Sequence, residues 1–206
     1  VQSSVKDRFL KLFRAETRRM YGKNPLENPD YPKIINEKHF NRIKGLMNSG
    51  TVFMGGEARE RTLQIAPTVL DQVKPSDPVM QEEIFGPLLP VLTFETIDEA
   101  ENFVLEREKP LACYIFTRNK ETERRLLASL SFGGGCINVT IIHLATSRMG
   151  FGGVGNSGMG SYHGRKSFET FSHEKSIVKK YNWIDLPIRY QPYRKWKEKL
   201  LRLFLK

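Results

Sequence analysis

An α/β protein built on a mainly parallel open sheet with helical crossovers is what the 206 residues predict, on three observations. From Leu88 onward, short apolar runs alternate with helical stretches of about ten residues, the arrangement that links parallel strands through crossover helices. Between residues 51 and 69 the apolar period drops to two around Gly55, Gly56 and a charged cluster, which reads as a hairpin. The composition, 39% hydrophobic and 27% charged, suits one sizeable core, and no run approaches the roughly 18 apolar residues of a membrane-spanning helix.

Residues 5–21 space Val5, Phe9, Leu12, Phe13 and Met20 among lysines and arginines, so an amphipathic helix is expected, stopped by Gly22. A polar, proline-containing loop covers 24–32. A second helix is expected from Asn36, its cap, to about Met47, with Phe40, Ile43 and Met47 inward and no capping box completed. Residues 51–54 and 63–69 read as strands, and 77–83 as a short helix with Pro78 in its first position. Strands follow at 88–94, 112–117 and 135–142. Helices over 97–108, with Ala100, Phe103 and Val104 inward, and over 120–131 separate them. A helix over 161–170, a strand over 175–181 and a basic amphipathic helix over 194–206 complete the series.

The formal charge of +10 is concentrated at the two ends. Residues 1–22 sum to +4 and residues 175–206 to +8, which leaves −2 for the middle. Such ends can meet anionic lipid or nucleic acid, or can be solvated helix faces. No aromatic-basic platform for bases accompanies them, so nucleic acid is not an expected partner. Cys113 and Cys136 lie in apolar, strand-like runs and form neither a disulfide framework nor a zinc spacing. A reducing, cytoplasmic setting follows. No histidine has metal-ligand spacing with a partner, so no metal site is expected. Val1 opens the chain with no charged-then-apolar leader, which fits a processed or excised segment.

Two motifs carry chemistry. The first is Glu82, Glu83, Ile84, Phe85, Gly86 and Pro87: two carboxylates and a ring ahead of a Gly-Pro turn. A carboxylate can accept hydrogen bonds from both vicinal hydroxyls of a ribose, and a ring two residues on can confine a flat heterocycle. By residue type alone the same glutamates could end a short solvated helix, with Phe85 in the core. The second is the glycine-rich stretch from Gly150 to Gly160, with six glycines. Gly153, Gly155 and Gly158 satisfy G-x-G-x-x-G, with Glu174 21 residues beyond the first. No strand leads into them, however, so a dinucleotide fingerprint is not supported.

Together, in this order and spacing, the two motifs resemble the C-terminal half of an aldehyde dehydrogenase. The stretch from Gly153 to Gly164 resembles the class 3 branch, which includes fatty-aldehyde dehydrogenases. The resemblance covers nearly the whole chain, which is less than half of such an enzyme. It implies a partial catalytic domain over 1–171 and a C-terminal arm over 172–206. It implies NAD or NADP as cofactor, with Glu83 on the nicotinamide ribose and Phe85 against the nicotinamide. An aliphatic or aromatic aldehyde would be lined by Ile141, Ile142, Leu144, Ala145, Phe151 and His163. Ordinary core packing accounts for the same residues equally well.

The family acts through a thiolate that attacks the carbonyl, loses hydride and is released by water. Neither Cys136 nor Cys113 sits in the family's nucleophile motif, so no catalytic residue is assigned here and the thiol is expected upstream of Val1. The resemblance further implies a homodimer of the intact enzyme through residues 175–181. It also allows a membrane-surface contact or a lid formed by residues 194–206, and packing on its own or a partner subunit accounts for the same helix. Two departures from the family pattern affect the substrate region: Val139 follows Asn138 where an acidic residue is usual, and Gly150 stands where proline is common. Two other readings of the whole chain stay open: a structural or oligomerisation fragment, and a basic lipid- or nucleic-acid-binding module.

Overall fold

The computed structural model describes residues 1–192 and 194–204. Helix α1 (Lys6–Tyr21) ends at Gly22, whose φ of +85° suits glycine and whose N–H donates to Arg18 O at 2.9 Å. Its buried stripe is Leu10 and Thr17, with Phe9 and Phe13 half-buried, whereas Leu12 and Met20 face solvent. The expected helix is therefore present, rotated from the expected face. Helix α2 (Glu37–Leu46) starts where Asn36 Oδ1 accepts the His39 N–H at 2.9 Å. Phe40, Ile43 and Leu46 are its buried residues; Met47, expected inward, is only partly covered.

Three strands carry the main sheet, in the order β1 (Thr51–Met54), β4 (Thr68–Asp71), β5 (Leu88–Pro90). β1 runs antiparallel to β4 and β4 parallel to β5, with Thr68 opposite Leu88. The expected strand over 63–69 is divided at Ala66 and Pro67. Its first part, β3 (Gln64–Ile65), pairs instead with β2 (Ala58–Arg59). α2 covers this sheet, and Phe40, Ile43, Leu46, Ile65, Leu70, Val73, Val79 and Leu88 form the largest core cluster. Each such side chain contributes about 1.5–3 kcal/mol on burial. Beyond β5 the chain continues beside its own N-terminus: Gln2 bridges Phe94 in parallel, and the Val1 amine donates to Leu92 O at 2.8 Å.

A second parallel pair, β6 (Ala112–Ile115) and β7 (Gly134–Ile137), is joined through α4 (Lys120–Ser129). α3 (Ile97–Leu105) packs on α4, and the Arg125 guanidinium bridges Asp98 and Glu101 between them. Glu101 is the buried residue of α3; Ala100, Phe103 and Val104 are half-buried. β7 is shorter than expected, and residues 139–142 are not strand. Asn138 and Ile141 take φ of +58° and +67°, which turns the chain out of the sheet. Asn138 is held there by its amide, which accepts from Thr117 N–H at 2.8 Å and donates to Thr117 O at 2.9 Å.

After α5 (Gly164–Thr170), residues 172–192 lie exposed or nearly so. The expected strand over 175–181 forms no ladder among the described residues. Helix α6 (Lys195–Phe204) leaves Trp196, Leu200, Leu203 and Phe204 exposed, while Lys197 is buried with Nζ donating to Tyr190 O at 2.7 Å. Residues 205 and 206 of the expected helix lie outside the described residues. No helix among the described residues is long and apolar enough to cross a membrane.

Tyr31 ties the 24–32 loop to β3 through its hydroxyl, which donates to Ile65 O at 2.7 Å. Burial, aided by Tyr21, pushes its pKa up to about 12. A raised phenol pKa favours the neutral form of the folded protein. Its stabilisation is therefore complete below pH ~10 and is lost as pH rises from ~10 through ~12. Tyr31→Phe is expected to lower stability by about 1 kcal/mol at pH 8, by leaving the Ile65 carbonyl unpaired. It should also flatten the alkaline limb of a thermal-denaturation pH series, relative to the wild type.

Candidate active site

The turn between the short 3-10 helix Pro78–Met80 and β5 is shaped from beneath. Ile84 packs into the main core cluster. A Cβ on Gly86 would lie 2.6 Å from Ile43 Cδ1, so the turn sits against α2 at glycine distance. Held on both sides, Phe85 adopts φ +46°, a left-handed conformation that a non-glycine residue enters at a cost of about 1–2 kcal/mol. The ring is thrown outward and is 83% exposed. The Glu83 side chain is exposed as well. Phe85 is therefore not a core residue, and the alternative that placed it there is overturned.

Below the turn, a concave apolar cavity of about 490 Å3 is bounded by Phe13 and Met20 of α1, by Tyr31, and by Gly86 to Leu89.

The other predicted residues gather beyond β7. Ile141 and Ile142 are exposed, Leu144 and Ala145 lie at the solvent edge, and Leu144 N–H donates to Ile141 O at 3.0 Å. The glycine stretch folds back on itself: Phe151 and Tyr162 exchange both backbone hydrogen bonds, at 2.9 and 3.0 Å. Inside that loop, Gly155–Ser157 forms one 3-10 turn, and Ser157 Oγ lies 3.0 Å from both Val154 N and Val154 O. No strand among the described residues leads directly into it, the preceding element being the 3-10 turn Ile142–Leu144, in keeping with the rejected dinucleotide fingerprint. The loop crowds its neighbours: a Cβ on Gly133 would stand 2.3 Å from Gly152 O and 2.7 Å from Leu111 O.

The closure brings Phe151 and His163 into a stacked pair with centroids 6.0 Å apart, and His163 meets Tyr162 edge-on at 4.4 Å. Phe151 and His163 are half-buried. The structure thus brings Phe151 and His163 together, with Ile141, Leu144 and Ala145 in the segment leading into their loop. Glu83 and Phe85 belong to the other sheet.

Sequence reasoning missed two residues. His143 is 8% exposed and packs against Tyr114 and Phe151 at 5.8 Å each. Its Nδ1 lies 3.4 Å from Cys136 Sγ, and its buried Nε2 has no hydrogen-bond partner among the described residues. The signal available was a histidine seven residues after a strand cysteine. Arg42 is the second, and nothing local in α2 marks it as facing a turn 41 residues away. Both cysteines are free and half-buried, and burial pushes the Cys113 thiol up. No cluster of metal-ligating side chains occurs among the described residues.

An outward carboxylate two residues from an outward ring, and an aromatic-glycine loop, thus stand on an α/β frame that contains two parallel strand pairs. Residues 1–177 match the aldehyde dehydrogenase family model, and the chain belongs to that family. Its relatives include proteins of the class 3 branch, among them the mouse aldehyde dehydrogenase family 3 member B3, 46% identical over 186 residues, covering 89% of this chain and 39% of that protein. It is 44% identical over 177 residues to the rat "Aldehyde dehydrogenase, dimeric NADP-preferring", covering 86% of this chain and 39% of that protein. It is 44% identical over 208 residues to the 4,4'-diaponeurosporen-aldehyde dehydrogenase of Staphylococcus aureus, covering 100% of this chain and 45% of that protein. A solved structure described as the substrate-bound state of Staphylococcus aureus AldH superposes with a TM-score of 0.93 at 44% identity, over all of this chain and 45% of its own. The chain thus spans less than half the length of these relatives.

Two glycine substitutions separate crowding from freedom. Gly45, inside α2 with nothing near its Cβ position, should accept alanine with a gain of up to about 1 kcal/mol from helix propensity. Gly133→Ala should instead destabilise by about 1–3 kcal/mol, because the obstacles are backbone carbonyls. Thermal midpoints moving in opposite directions would bear this out.

Proposed function

We propose that this chain is the C-terminal part of an NAD(P)-dependent aldehyde dehydrogenase that oxidises aldehydes to carboxylic acids with a thiolate supplied upstream of Val1. The observation that carries the reading is the turn at residues 82–87, which spends backbone strain to project Phe85 beside Glu83. A carboxylate there suits the two hydroxyls of the nicotinamide ribose, and a ring there suits one face of the nicotinamide. NAD or NADP, when bound, accepts the hydride. Glu83 fixes the sugar and Phe85 limits where the nicotinamide sits, which matters because hydride transfer needs reacting atoms within about 3–3.5 Å. Membership of the family and an NADP-preferring relative support the cofactor class.

The two cysteines of this chain support a thiolate from elsewhere: Cys113 and Cys136 are half-buried, and burial pushes the Cys113 thiol up, away from the thiolate. On this reading, residues 1–171 are part of the catalytic domain and 172–206 are an arm. Ile141, Leu144, Ala145, Phe151 and His163 line the aldehyde path, where each buried methylene of substrate contributes about 0.8 kcal/mol. Residues 175–181, with lysines and no ladder among the described residues, add to a partner subunit, in keeping with the dimeric rat relative. Helix α6, basic and with an uncovered apolar face, serves as a membrane-surface contact of an otherwise cytoplasmic enzyme.

The purified 206-residue chain is expected to form no NADH from an aliphatic aldehyde above the blank, and supplying the N-terminal portion should restore turnover. Robust turnover by the chain alone would contradict the upstream thiol. In flotation with anionic vesicles, the chain should co-float and a version ending at residue 193 should not. Equal recovery removes the membrane role.

A further inference from the structure

Arg42 reaches from α2 to the underside of the 82–87 turn. Its guanidinium donates to Ile84 O at 2.6 Å and to Glu83 O at 3.2 Å, and the second of these nitrogens lies 3.2 Å from Glu82 Oε1. The first two contacts are charge-assisted bonds to consecutive carbonyls, and a planar fork is the side chain that can hold both at once. Those carbonyls belong to the peptide units on either side of Ile84. Fixing them leaves Ile84 in the core and sets the direction in which the chain enters Phe85.

The third contact is of a different kind. Glu82 is nearly half exposed, and an ion pair in water contributes little. What Arg42 supplies is orientation of the backbone between two groups that face outward.

We infer that Arg42 is a positioning residue: by clamping the carbonyls of Glu83 and Ile84 it sets where the Glu83 carboxylate and the Phe85 ring stand, and so how well the nicotinamide is aimed for hydride transfer. The inference rests on the function proposed above. It goes beyond it in assigning the aim of the site to a cation that acts through the backbone carbonyls of the turn. Gly86 against Ile43 and Ile84 in the core keep the turn attached without Arg42, so its removal loosens the aim rather than the fold.

The test uses the full-length enzyme that carries this chain. Arg42→Ala is expected to lower kcat about 10- to 100-fold, the scale of a misplacement near 1 Å, with aldehyde KM little changed. The kinetic isotope effect from aldehyde deuterated at C1 should rise, because hydride transfer becomes limiting. Millimolar guanidinium should recover part of kcat in Arg42→Ala. Arg42→Lys, which can reach one carbonyl but not both, should fall between, and Glu82→Gln should match the wild type.

Unchanged kcat and isotope effect in Arg42→Ala would overturn the inference. So would a loss that guanidinium cannot restore in a variant with a wild-type melting point. If Arg42→Ala does not fold, the isotope effect of Arg42→Lys decides: an unchanged value overturns the inference. Glu83→Gln and Phe85→Ala separate this failure from failure of the underlying reading. If those two leave coenzyme KM and kcat intact, the coenzyme site itself is wrong. If they impair turnover while Arg42→Ala does not, only the clamp is wrong.

Discussion

The seat of α2 on the β4–β5 sheet is the constraint from which the rest follows. Ile43 is fully buried and touches Gly86 so closely that no other residue fits the turn undisturbed. One turn of helix thereby fixes the start of β5, the register of β5 on β4, and the direction of the segment between Met80 and Leu88. The left-handed backbone of Phe85 is the visible consequence: with Ile84 drawn in and Gly86 pressed against Ile43, an outward ring is the geometry left to residue 85. Strain held this way persists only where surrounding packing over-determines it, and here the packing belongs to the largest core cluster.

The second half of the chain depends on crowding of a different kind. β7 is followed by two left-handed residues, Asn138 and Ile141, and by a glycine loop whose backbone passes within van der Waals contact of Gly133. No side chain fits at those crossings. The loop's closure by Phe151 and Tyr162 stacks Phe151 on His163 and roofs the Cys136–His143 pair. The aromatic groups of this region thus owe their placement to glycines, while those of residues 82–87 owe theirs to a helix.

Much of this was legible in the sequence where a local rule suffices. Asn36 capping α2, Gly22 ending α1, Pro78 opening a short helical turn, and the parallel β6–β7 pair around α4 each follow from a residue type at a position. The hexapeptide from Glu82 to Pro87 marked a candidate turn, and the fold leaves its Glu83 and Phe85 side chains exposed. What the sequence could not show were effects set by distant partners. The buried face of α1 passes through Leu10 and Thr17 rather than Leu12 and Met20, because the sheet it meets decides which side is covered. β7 stops at Ile137 although the apolar pattern runs on to Ile142, because the Asn138–Thr117 clamp turns the backbone. His143 and Arg42 escaped notice for the same reason: each acquires its surroundings only in the folded chain.

The central claim is that Glu83 and Phe85 seat the reactive end of a nicotinamide coenzyme. A crystal structure of the full-length enzyme with NAD or NADP bound tests it most directly. The account predicts the Glu83 carboxylate hydrogen-bonded to both hydroxyls of the nicotinamide ribose and the Phe85 ring in contact with the nicotinamide. A coenzyme whose nicotinamide ribose is held by other residues, with both side chains still in solvent, would contradict it.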